Sequence, residues 1–106
     1  MSGSSGAGGS INRPSENEDC ANLVINTNLA SPKADVIATL KEGDELKVQA
    51  ATTQGPIQAL RGNSVAGNIV TREQVRLLNC LNEGTEYIAE VLSITGGQCK
   101  IQVHAV

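Results

Sequence analysis

The sequence predicts a mainly β domain at the border of α+β: a small antiparallel β-barrel with one short helix, its connections matching either a greek-key or an SH3-like order. Three observations predict it. Apolar residues recur at every second position through most of residues 20–106, the period of half-buried strands. Breaks rich in glycine and proline cut these stretches to strand length. Only residues 71–84 change to a helical period. One short helix covers too little of six or seven strands, so the sheet must curl to hide its apolar face and shield its edges.

The chain has 106 residues, room for one domain. Residues 1–10, MSGSSGAGGS, read as a linker scar, and residues 11–19 are still polar. A disordered tail is therefore expected over 1–19 and a single barrel over 20–106. No apolar run follows Met1, so no secretory signal is read there. No stretch approaches the roughly 20 apolar residues that a membrane span needs.

Taken in order, CANLVINTNLAS (20–31) alternates, with Leu23, Ile25 and Thr27 on one side. SPKAD (31–35) is a turn, because Pro32 biases its predecessor away from helix. VIATL (36–40) is short and β-branched, and reads as a strand piece. KEGDE (41–45) is a polar hairpin loop. LKVQAATT (46–53) sends Leu46, Val48 and Ala50 inward. QGP (54–56) breaks it, PIQAL (56–60) resumes, and RGN (61–63) turns. SVAGNIV (64–70) is a strand whose Gly67 calls for a bulge, a barrel corner or a close backbone approach.

Thr71 with Gln74 three positions later is a capping-box signature, and Gly84 can supply a left-handed stop. The helix is expected over 72–82, the sole one, with Leu77, Leu78 and Leu81 on its apolar side and Val75 at the edge. TEYIAEVLSI (85–94) returns to period two, with Tyr87, Ala89 and Val91 on one face. TGG (95–97) suits a tight hairpin turn. In QCKIQVHAV (98–106), Cys99, Ile101, Val103 and Ala105 point inward.

Composition excludes several chemistries. Eight basic residues against eleven acidic ones give a net charge of −3, of which −2 falls in residues 1–19. With one Tyr and no Phe or Trp, there is almost no platform for stacking bases. A single His, His104, and no paired-cysteine motif leave no metal site, and no cofactor is expected. No nucleophile stands next to a base, so the chain is not read as an enzyme; Cys80 is the one residue an enzymatic alternative would use. Glu42, Asp44 and Glu45 crowd one loop beside Lys41 and Lys47, as a solvated turn does. Glu86 and Glu90 can support the next strand by pairing with Lys100. Three cysteines argue against a disulfide framework and for a reducing, cytoplasmic setting. One bridge, Cys20 to Cys99, is left open, because the first and last strands can meet. Arg61, Arg72 and Arg76 are the bases that could converge on a phosphate or a nucleic acid.

The order of RGNSVAGNIV, a short amphipathic helix and GTEYIAEVLSI resembles the HIRAN family over residues 61–94. The matching positions are Gly62, Val65, Gly67, Ile69, Leu78, Gly84, Tyr87, Ala89 and Val91. HIRAN domains are small barrels attached to DNA-repair helicases and also found alone in bacteria. The resemblance implies a HIRAN-like barrel and, as a function, binding of single-stranded DNA ends. The family's Asn-Pro-Asp segment has no counterpart in VQAATTQGPIQAL. The sequence therefore reads first as a non-catalytic binding or accessory module, with a protein partner or a homo-oligomer and no membrane. A single-stranded DNA partner is the alternative, and a purely structural subunit the third reading.

Overall fold

The alternating stretches form six strands in the computed structural model, which describes residues 16–106. They are β1 (Val24–Asn28), β2 (Glu45–Ala50), β3 (Ile57–Arg61), β4 (Ser64–Asn68), β5 (Tyr87–Thr95) and β6 (Gln98–Ala105). Three helices accompany them: α1 (Glu16–Asn22), α2 (Ala34–Ile37) and α3 (Gln74–Asn82). The strands build one antiparallel sheet in the order β1-β6-β5-β2-β3-β4. The sheet curls into a half-barrel, as expected. Its two edges meet at a bridge where Ala30 and Asn68 exchange two backbone hydrogen bonds of 2.8 Å.

The inward faces match the period-two reading. Leu46, Val48, Tyr87, Ala89, Val91, Cys99, Ile101 and Val103 are all buried, and Leu77 of α3 joins them. The tight turn at 96–97 puts both glycines at positive φ, +57° and +85°, the geometry that a two-residue hairpin demands. Gly67 answers to a close approach. A Cβ there would meet the Ala30 carbonyl oxygen and the Leu29 Cβ, both at 3.0 Å, where the sheet edges join.

Several expectations need correction. The helix at 74–82 is not the sole one. VIATL does not extend as a strand; α2 takes up its first residues. Ile37 and Leu40 are both buried while Ala38 between them is exposed, so the burial follows a helical turn rather than alternation. A short apolar run is ambiguous between the two periods. Residues 20–22 belong to α1 and not to the first strand. α1 also crosses the boundary expected at residue 19, while residues 1–15 of the expected tail lie outside the described residues. Thr71 does not cap the helix itself. Its hydroxyl accepts from the Glu73 amide at 3.3 Å, and its carbonyl accepts from the Gln74 amide, forming a turn that leads into α3. Val75 is 70% exposed rather than at the edge of the core. Among the described residues, no helix is long and apolar enough to cross a membrane.

Candidate binding groove

β2 is held unequally by its two neighbours. Against β3 it pairs from Lys47↔Leu60 to Ala50↔Ile57. Against β5 the register runs only from Glu45↔Glu90 to Lys47↔Ile88. Residues 48–50 therefore continue without a partner strand on the β5 side. The reason lies at the start of β5. The chain leaves α3 through Gly84 at φ +102°, and the Thr85 amide donates to the Cys80 carbonyl. The next residues stay with β6, where the Val106 amide donates to the Glu86 carbonyl. The two strands part, and α3 closes the wide end.

The gap is an open groove of about 690 Å³. Val48, Ala50, Leu81, Tyr87 and Val106 give it apolar walls, and Glu45, Lys47 and Glu86 stand along it. Asn82 fixes the far end, donating from Nδ2 to the Thr53 carbonyl at 2.9 Å. The Ala51 amide donates to the Pro56 carbonyl, so odd-numbered residues of β2 serve β3. Backbone groups in an antiparallel ladder alternate sides, and those of Ala50 therefore point into the groove. Glu45, Lys47, Glu86 and Glu90 take part in no ion pair among the described residues.

Tyr87 is the inner wall of this groove. It is 2% exposed, and its hydroxyl donates to the Cys20 carbonyl. Burial raises its pKa above the ordinary 10.0, with the Arg76 guanidinium opposing the rise and the Glu83 carboxylate adding to it. The phenol is thus a neutral donor at physiological pH.

Cys20 is bonded to Cys80, with Cα atoms 5.6 Å apart. The premise of a Cys20–Cys99 bridge holds in part, because β1 and β6 do pair. Cys20, however, sits on α1 rather than on a strand, and α1 packs against α3. Cys99 is a free thiol inside the barrel, and burial pushes its pKa up. Cys80 carries no thiol here that could act as a nucleophile.

The three arginines expected to converge are divided. Arg61 ends β3 at the tip of the β3–β4 hairpin and pairs with Asp44 at 3.1 Å. Arg72 and Arg76 follow the opposite end of β4. Arg76 pairs with Asp19 at 3.6 Å and with Glu73 at 3.5 Å. Arg72 is exposed. Lys100 stands opposite Ser93 and Asn28, while Glu90 faces Gln102, and no ion pair joins Lys100 to Glu86 or Glu90. No cluster of His, Cys, Asp and Glu among the described residues could hold a metal. The chain matches no known protein family, no curated protein and no solved structure. The site is therefore read from its geometry alone. The groove had one sequence signal, the QGP break that lets β2 and β3 run on together, but nothing in the sequence gives the point where β5 leaves β2.

Proposed function

We propose that the protein is a non-catalytic binding module that takes an extended polypeptide segment into the β2–β5 groove. The observation that carries this reading is the run of β2 past its last β5 partner. A strand edge inside a groove offers backbone hydrogen bonds to an added strand, and alternate side chains of that strand meet the walls. Three carboxylates, Glu45, Glu86 and Glu90, outnumber Lys47 along this face. The occupant is accordingly a segment of alternating apolar and basic residues, either from another protein or from a second copy of the chain.

The test uses fluorescent peptides of about ten residues, alternating apolar with basic or apolar with acidic, beside a single-stranded DNA of similar length. Binding of the basic peptide, with amide shifts at residues 48–50 and 86–87, supports the reading. DNA binding that weakens steeply with salt and shifts Arg72 and Arg76 favours the HIRAN-like alternative instead. Peptide binding that leaves residues 48–50 unshifted removes the groove from the reading. The expected cytoplasmic setting carries a condition with it: a reducing compartment keeps most cysteine pairs as thiols, whereas an oxidising one keeps them bonded.

A further inference from the structure

The Cys20–Cys80 bond fastens a helix that has few other ties among the described residues. α1 is seven residues long, well below the roughly 12–15 at which an isolated helix is even marginal in water. Its described anchors besides the bond are the Tyr87 hydroxyl on the Cys20 carbonyl, the Arg76–Asp19 pair between half-exposed side chains, the packing of α1 against β6, and the burial of Cys20 and of Leu23 just beyond it. None of the sheet pairings passes through α1. Beside the bond lies an open pocket of about 110 Å³, lined by Asp19, Cys20, Arg76, Asn79, Cys80 and Glu83. The pocket borders both half-cystines, 2% and 3% exposed, from outside the barrel.

We propose that Cys20–Cys80 is a redox latch: reduction by a dithiol frees α1 from α3 while the barrel stays folded. A thiolate of the dithiol attacks one Sγ, forming a mixed disulfide and releasing the other cysteine as a thiolate, which takes up a proton. The second thiol of the reductant then displaces the first cysteine. The protein gains two electrons and two protons, giving two thiols, and the reductant leaves as its own disulfide. Released, α1 withdraws the Cys20 carbonyl from Tyr87, so the inner wall of the groove loses its fixed partner. The latch does not depend on what the groove binds.

Cys99 supplies an internal control, because it is 0% exposed in the core and reacts only when the barrel opens. The full chain is treated with dithiothreitol under native conditions, alkylated and weighed, and amide exchange is followed in parallel. The expected result is two alkylated cysteines, exchange over residues 16–22 faster by about tenfold or more, and unchanged protection in β6. No alkylation means that the bond is closed to dithiols in the folded protein and overturns the proposal. Three alkylated cysteines mean that the whole domain opens, which also overturns it. Two alkylated cysteines with unchanged exchange over 16–22 make the bond a passive staple, and the latch is then overturned as well.

Discussion

Tyr87 donates its hydroxyl to the carbonyl of Cys20, joining the first residue of β5 to a helix 67 positions earlier in the chain. The same Cys20 is bonded through sulfur to Cys80 at the end of α3. Two independent links therefore converge on one residue of α1, and the ring that makes one of them also walls the groove.

Removing the hydroxyl tests the first link. Tyr87→Phe keeps the buried ring and deletes the donor, so the loss of stability is about 1 kcal/mol in urea unfolding of the oxidised protein. The cost stays modest because the Cys20 carbonyl also accepts from the Leu23 amide at 3.4 Å.

Removing the disulfide tests the second. The bond closes a loop with a sequence separation of 60. The Cys20→Ser/Cys80→Ser pair should lower global stability by roughly 2–4 kcal/mol, chiefly by enlarging the unfolded ensemble. A midpoint that does not move under denaturant would contradict this.

The only tyrosine reports its own ionisation, so phenolate absorbance follows Tyr87 directly. Its folded pKa lies above the unfolded 10.0. The folded state thus holds the proton that the unfolded state has lost. Stability is full below pH 10 and falls as pH rises from there through the folded pKa. Cys99 is displaced in the same direction from 9.0, so the fall begins earlier with its share. Tyr87→Phe should leave only the Cys99 part of the alkaline slope.

Gly67 marks the join of the sheet edges. Gly67→Ala places a methyl against the Ala30 carbonyl and Leu29, and overpacking of this kind costs about 1–3 kcal/mol. Thermal unfolding would register it as a lower midpoint.

Glu45 and Glu90 face each other across β2 and β5. Like charges directly opposite destabilise a ladder, so Glu90→Lys should raise stability by about 0.2–1 kcal/mol, and by less as salt is added. If this face receives basic segments, the same change weakens peptide binding.

The alternation of LKVQA, YIAEV and CKIQV displays the strands and the inward faces openly, since period two is a local property. The turn glycines at 96–97 and the requirement at Gly67 were legible for the same reason. The single turn of α2 was not, because four residues cannot establish a period. α1 stayed hidden because its place depends on Cys80 and Tyr87, which are distant in sequence. The site was less legible than the fold. Arg61, Arg72 and Arg76 are spaced suggestively along the chain, yet β4 carries their bearers to opposite ends. The groove arises from the length over which two strands pair, and side-chain pattern does not encode that length.

β1 finds its hydrogen-bonding partner in β6, with Val24 opposite His104. A chain emerging from the ribosome must therefore hold β1 in waiting until β6 has been synthesised. Contacts so remote in sequence are slow to form, and the interval leaves apolar segments uncovered. Closure of this sheet consequently waits for β6, and β1 is among the last of its strands to settle.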